Sequence, residues 1–384
     1  MTSLLHATGL CTTWSGRRPA DTRHPSAESA PDGRPSSGPV RLAGPTMTSN
    51  HPATAPTTTT AIPRVGSSVS HGKTILIGEH AVVYGAPALV LPVTDVRVTA
   101  TATPLPATHS SGAEHVLEST VHTGPFGLAP AAVLPTTTAV TATLRHLADL
   151  GYPHAVDTAF HVRVDSQVPT ARGMGSSAAV AAAVTAAVAD ALGVVLDRAT
   201  HHDLIQACER VAHGRPSGLD ARGVVADEPV WFEHDVIEPV QLTGRFVFVV
   251  ADTGVPGHTR EAVAAVRERH DRAPEVVDAV VQRIGDLARA ARGTLVDGDA
   301  QALGATMDAA HELLTTLDVS SGDIDRLVGA ARSADALGAK LTGGGRGGCV
   351  LALAADDEHA ARIVTALRDA GAAATWTTSI GARA

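Results

Sequence analysis

Residues 166–193, SQVPTARGMGSSAAVAAAVTAAVADALG, restrict the possible folds of this chain more than any other stretch. A short apolar segment, FHVRVD, leads into the bend Gly173-Met174-Gly175-Ser176-Ser177, and an alanine-rich run of high helix propensity follows at once. A strand, a glycine bend and a helix N-terminus in that order leave two readings. In one, the glycines let the backbone approach a ligand closely, the serines cap the first helical turn, and the free N–H groups with the helix dipole attract an anion such as a phosphate chain. In the other, the commoner use of such a sequence, the bend only starts a helix. The segment by itself does not choose.

Composition narrows the class. A 384-residue chain that is 44% hydrophobic can bury a core of two domains or one large one. Its net charge of -9, with no block of Lys or Arg, offers no footprint for a nucleic acid backbone. Cys11, Cys208 and Cys349 are far apart and in no Cys-x-x-Cys spacing, so neither a disulfide framework nor a zinc site is expected and a reducing cytoplasm fits best. The longest apolar run, Ala178 to Ala189, is mostly alanine and ends at Asp190, too short to span a bilayer, so no membrane segment is expected. Lysine usage says more than net charge. Of the 30 Lys plus Arg only Lys73 and Lys340 are lysine, which suggests positions where a compact ammonium is needed rather than a planar fork.

Residues 1–63 are rich in Ser, Thr, Pro, Gly and Ala and show no apolar periodicity, which predicts a disordered low-complexity extension. Two structured domains are expected after it, 64–242 and 243–384. The first opens with VGSSVSHGKTILIGEHAVVYGAPALVLPV, where apolar and turn residues alternate as in a hairpin, with Lys73 just before the strand TILI and Gly78-Glu79-His80 at the bend. It nearly imitates a Walker P-loop, but Gly66 and Gly72 are one residue too far apart and a strand follows Lys73-Thr74. On their own, Glu79 and His80 read as a solvated hairpin tip. Helices are predicted over about 136–150 and 199–212, the second carrying Glu209 near its end, with Asp220 in a glycine-flanked loop beyond. Two carboxylates near a phosphate cradle suit divalent metal binding and proton abstraction, although spacing alone favours a helix-face glutamate and a turn aspartate.

The second half reads as the strand RFVFVVADTG, several helices, the segment LGAKLTGGGRGGCVLALAA entering a strand, a helix over about 358–370 and a last strand ATWTTSI, which suggests a ferredoxin-like arrangement. Gly343 to Gly348 offer almost no side chain to pack, so they form a tight turn or close on a ligand.

Three motifs in this order resemble the GHMP kinases, the family of galactokinase, homoserine kinase, mevalonate kinase and phosphomevalonate kinase. They are Lys73-Thr-Ile-Leu-Ile-Gly-Glu-His-Ala-Val-Val-Tyr-Gly85, Pro169-Thr-Ala-Arg-Gly-Met-Gly-Ser-Ser-Ala-Ala179 and Lys340-Leu-Thr-Gly-Gly-Gly-Arg-Gly-Gly-Cys349, and their span covers about Val65 to the C-terminus. Gly78 to Gly85 and His213-Gly-Arg-Pro-Ser-Gly-Leu-Asp220 are most similar to the members that act on mevalonate. The resemblance implies an α+β, two-domain fold with an N-terminal ribosomal-protein-S5-like domain and a C-terminal ferredoxin-like domain. It implies ATP-dependent phosphorylation of the 5-hydroxyl of mevalonate, with Mg²⁺ and ATP bound, and a possible homodimer. Carried over residue by residue, Asp220 takes the hydroxyl proton with Lys73 beside it. Ser177 and Glu209 hold Mg²⁺. Gly173, Met174, Gly175, Ser176 and Ser177 cradle the triphosphate with Gly344 and Gly345, and Ser166 is a weaker nucleotide contact. Glu79, His80 and Thr259 line the substrate pocket.

This sequence departs from the usual pattern at Met174, where leucine is common, and at Gly344 and Arg346, where alanine and glycine are; Arg346 reaches a phosphate or points to solvent. Phosphomevalonate kinase is the alternative within the family, and a catalytically degenerate binding protein the non-enzymatic one. A serine hydrolase is disfavoured because Ser176 and Ser177 lie in no Gly-x-Ser-x-Gly elbow. A zinc peptidase is disfavoured because Thr315 stands where a second histidine after His311-Glu312 is needed.

Overall fold

The computed structural model describes residues 63–106, 114–152, 155–214, 218–234 and 236–381. The extension expected to be disordered, 1–63, lies outside them but for its last residue. The N-terminal sheet is built on a long hairpin. Strand β1 (Gly66–Ile77) and strand β2 (Ala88–Pro104) pair antiparallel, with breaks in register at His71/Gly72 and Ile75/Ile77. Lys73 therefore lies inside the strand, not before it. Strands β3 (Val116–Glu118) and β4 (Thr123–Pro125) precede helix α1 (Leu134–Asp149) and strand β5 (Phe160–Ser166). Helices α2 (Ser176–Ala191), α3 (Arg198–His213) and α4 (Leu219–Gly223) follow, then strands β6 (Val230–Glu233) and β7 (Val236–Pro239). The strands order as β4-β3-β5-β2-β6-β7, with β1 also on β2.

Helix α2 explains why this region needs alanine. Eleven of its sixteen residues are buried, so it is packed on nearly every side rather than on one stripe. Small side chains let β1 run directly beneath it: a Cβ on Gly66 would fall 2.2 Å from Ala187 O, and Ser70 Oγ donates to Ala179 O at 2.6 Å. The serines do not cap it. The N-cap is Gly175, in the left-handed region at φ 69, with no side-chain cap bond, so Ser176 and Ser177 enter the first turn with their hydroxyls uncommitted to capping.

The chain passes to a second sheet between Pro239 and Arg245. Strand β8 (Arg245–Asp252) is followed by four helices, α5 (Thr259–Arg272), α6 (Pro274–Asp297), α7 (Ala300–Thr316) and α8 (Gly322–Ser333). Strands β9 (Gly338–Thr342) and β10 (Cys349–Ala354), helix α9 (Asp357–Asp369) and strand β11 (Ala374–Gly381) complete it. The antiparallel order β11-β8-β10-β9 puts the fourth strand beside the first and the third beside the second, the ferredoxin-like arrangement expected. Helix caps follow the sequence chemistry: Asp197, Asp299, Ser321 and Asp356 each accept a bond from the first turn of α3, α7, α8 and α9. Apolar packing runs without a break from Leu76, Leu91 and Phe160 to Phe248, Leu314 and Leu351.

Candidate active site

The three glycine-bearing segments meet. Lys73 N donates to Met174 O at 3.0 Å, joining the first to the second. Gly173 and Gly343, both at positive φ, pack backbone on backbone: a Cβ on Gly343 would lie 3.0 Å from Gly173 Cα. Thr342 Oγ1 donates to Ile75 O at 3.0 Å, accepts from Ile75 N at 3.1 Å and shares a 2.7 Å bond with Thr74 Oγ1, lacing the third segment to the first. Around this junction opens a cleft of about 800 Å³.

At its floor Lys73 Nζ meets Asp220 Oδ1 at 2.5 Å; the lysine is 4% exposed and the aspartate 39%. The stem of Lys73 is held between two glycines. A Cβ on Gly175 would stand 3.0 Å from its Cγ and Cε, and one on Gly223 3.0 Å from its Cβ. Facing them are Ser177 at the start of α2 and Glu209 near the end of α3. Ser177 Oγ and Glu209 Oε1 are both buried without a hydrogen-bond partner. Burial and the Asp220 charge push the Glu209 carboxyl above its ordinary 4.5, against weaker pulls from the Ser177 hydroxyl, which is near but outside hydrogen-bonding geometry, and from His213 and Lys73.

Glu79 and His80 are no solvated tip: they are 2% and 6% exposed and line the cleft. Glu79 Oε1 accepts from Lys340 Nζ, while its Oε2 has no partner. Burial drives Glu79 upward and Lys340 downward from their ordinary values. His80, at φ 61, donates from Nε2 to Gly344 O at 3.0 Å, which leaves Nδ1 a bare acceptor, buried and unpartnered. Burial lowers its pKa from 6.5 to about 4, so its ring is neutral at ordinary pH. The unfolded chain then binds a proton at this ring that the native state refuses until near pH 4. Stability from His80 is complete above 6.5 and drains as pH falls toward 4, by on the order of 3 kcal/mol in all. Urea unfolding at stepped pH of the native protein and of His80→Gln checks this: the variant should show the shallower acid decline.

The cleft also takes in Gly173, Gly175, Ser176, Thr259 and Gly344. Ser166, Met174 and Gly345 are not among its lining residues. Ser166 Oγ bonds with Val168 at the end of β5, the Met174 side chain is fully buried, and a Cβ on Gly345 would strike Val319 O at 2.0 Å. Arg346 reaches no cleft: its guanidinium binds Asp318 O at 3.2 Å and Oδ2 at 3.3 Å. Residues that the sequence did not single out join instead. Arg172 donates to Asp252 Oδ1 at 2.8 Å and Gly254 O at 3.1 Å, tying the bend to the end of β8, and Arg260 and Arg267 of α5 border the cleft. Arg172 sits inside the second motif, whereas nothing in the local sequence of α5 marks Arg260 and Arg267, whose approach to the cleft depends on where that helix packs.

A cleft with a carboxylate–ammonium pair, oxygen donors opposite and glycine backbone between them has the parts needed to position a phosphate chain and a hydroxyl. Comparison with known proteins agrees in kind. The family models described as "GHMP kinases N terminal domain" and "GHMP kinases C terminal" match residues 137–225 and 287–373. A mevalonate kinase of Aeropyrum pernix is 36% identical over 307 residues, 77% of this chain and 90% of that protein. Among solved structures, L. major mevalonate kinase in complex with R-mevalonate superposes with a TM-score of 0.71 at 26% identity, covering 83% of this chain and 97% of that one. Mevalonate kinase from methicillin-resistant Staphylococcus aureus does so with a TM-score of 0.63 at 31% identity, covering 83% and 100%. On motifs, sheet order, cleft and relatives together, the chain belongs to the GHMP kinase family.

Proposed function

We propose that the protein transfers the γ-phosphoryl group of ATP to the 5-hydroxyl of mevalonate, giving 5-phosphomevalonate and ADP. The observation that carries this reading is the Lys73–Asp220 pair facing the unpartnered oxygens of Ser177 and Glu209 across one cleft. Asp220 accepts the hydroxyl proton as the oxygen bonds to phosphorus and the bond to the ADP oxygen breaks. Lys73, fixed by Gly175 and Gly223, orients that carboxylate and offers positive charge to the transferred group. The backbone of the Gly173–Ser177 bend and the N-terminus of α2 receive the phosphates.

The residues present fit Mg²⁺. A hydroxyl and a carboxylate oxygen, buried and without partners, are hard donors, and Mg²⁺ takes only one or two such protein ligands beside phosphate and water. Among the described residues no group of three or more His, Cys, Asp or Glu could form a closed metal cage. Bound there, Mg²⁺ would supply positive charge against the negative charge that builds on the phosphates during transfer. Ser177 and Glu209 would hold it. Glu79, His80 and Thr259 border the side where the acceptor alcohol would lie, and the cytoplasmic setting and homodimer expected from the sequence belong to the same proposal.

Coupled measurement of ADP release with mevalonate, phosphomevalonate, homoserine and galactose, with and without Mg²⁺, tests the assignment. Turnover of mevalonate that requires Mg²⁺ is expected. Turnover of phosphomevalonate without mevalonate would overturn the substrate, and Arg260 and Arg267 would then be the residues to examine for the extra phosphate.

A further inference from the structure

Both lysines of the chain are spent on carboxylates that border one cleft, Lys73 on Asp220 and Lys340 on Glu79. The second pair is the more deeply buried, with side chains 0% and 1% exposed. Lys340 also donates to Leu341 O at 2.7 Å, so the β9 backbone fixes its ammonium. It does not itself border the cleft. Glu79 does, and its Oε2 is a buried acceptor with nothing to accept from. A buried ion pair is rarely a stability device, and an orphaned charged oxygen adds a further penalty. A donor arriving with a ligand would relieve that penalty.

The geometry points to Lys340 as a positioning residue: by occupying one oxygen of Glu79 it holds the carboxylate ionised and oriented, so that the other oxygen accepts from a hydroxyl of the alcohol substrate. This rests on the phosphoryl-transfer reading above and deepens it. The charged groups facing Glu79 are Lys340 from β9 and, more weakly, Lys73 from β1, with neutral His80 adjacent. Burial favours the protonated carboxyl, and Lys340 is the main opposing influence. A protonated Glu79 would present the wrong partner to a hydroxyl at a fixed site.

The test compares Lys340→Met, Glu79→Gln and the double variant with the native enzyme, using mevalonate and ATP. Lys340→Met should raise the KM for mevalonate by about tenfold or more while the KM for ATP changes little. Its kcat/KM for mevalonate should recover as pH rises and Glu79 ionises, a limb that Glu79→Gln lacks. In the double variant the mevalonate KM should equal that of Glu79→Gln alone, because Lys340 acts only through the carboxylate. A further rise in the double variant, or a Lys340→Met effect shared equally by both substrates and flat with pH, overturns the inference. If Lys340→Met fails to accumulate, the comparison of Glu79→Gln with the charge-free double variant still decides. Native enzyme inactive on mevalonate overturns the substrate reading instead. The Lys340 assignment is then read from carbon-13 NMR of the Glu79 carboxyl, whose titration must move upward in Lys340→Met.

Discussion

Asp220→Asn abolishes useful turnover, lowering kcat by roughly a thousandfold or more, while ATP still binds. The amide matches the carboxylate in size, so the short helix α4 and the cleft keep their shape, but it has no basic oxygen for the hydroxyl proton. Lys73 loses its counter-charge yet keeps its place, because Gly175 and Gly223 confine its stem on both sides. The variant therefore separates chemistry from binding. Single-turnover phosphoryl transfer and nucleotide binding by calorimetry check it, and near-native kcat would remove Asp220 from the role of base. A modest loss of melting temperature should accompany the change, since an ammonium 4% exposed is left without its ion pair.

Gly304→Ala destabilises the protein by about 3 kcal/mol, although the same change in an ordinary helix interior gains roughly 1 kcal/mol. Gly304 lies within α7, and an added Cβ would meet Leu337 O at 2.0 Å; the reciprocal atom on Gly338 would meet Gly304 O at 2.1 Å. Neither neighbour is a flexible side-chain end, so the helix must move off β9. Asp308 of the same helix accepts from Ala339 N at 2.9 Å and would be dragged with it. Strand β9 carries Lys340 and Thr342, so activity should fall along with stability. Gly293→Ala in α6 is the contrast: nothing lies within 4 Å of its Cβ position, and the propensity gain should survive. Thermal melts of the two variants should shift in opposite directions, and equal shifts would refute the close approach of α7 and β9.

The sequence carried the fold's local text well. Period and punctuation marked the hairpin, the alanine helix and most elements of the second half, because these depend on neighbours a few residues away, but the segment before the Gly343–Gly348 turn, read only as its approach, is the strand β9. Its reading of the hairpin bend was poorer. Glu79 and His80 look like surface residues until Lys340, 261 positions along, arrives to pair with the first and Gly344 to bond the second. No periodicity encodes a partner at that distance. The serines illustrate the opposite error: next to a helix start they read as caps, yet glycine in a left-handed turn takes that position and leaves Ser177 with an uncommitted hydroxyl. Arg346 was ambiguous for a related reason, since only the tertiary position of Asp318 fixes where the guanidinium goes.

The burial of both lysines has a practical reach. Amine-directed acylating reagents find no exposed lysine ammonium on the folded protein, with Lys73 at 4% and Lys340 at 0% accessibility. Acetylation at these two sites, followed by peptide mass spectrometry, thus becomes a clock for opening of the molecule. Lys73 should be labelled when the cleft loosens and Lys340 only when β9 comes free, so one reagent would report two depths of unfolding.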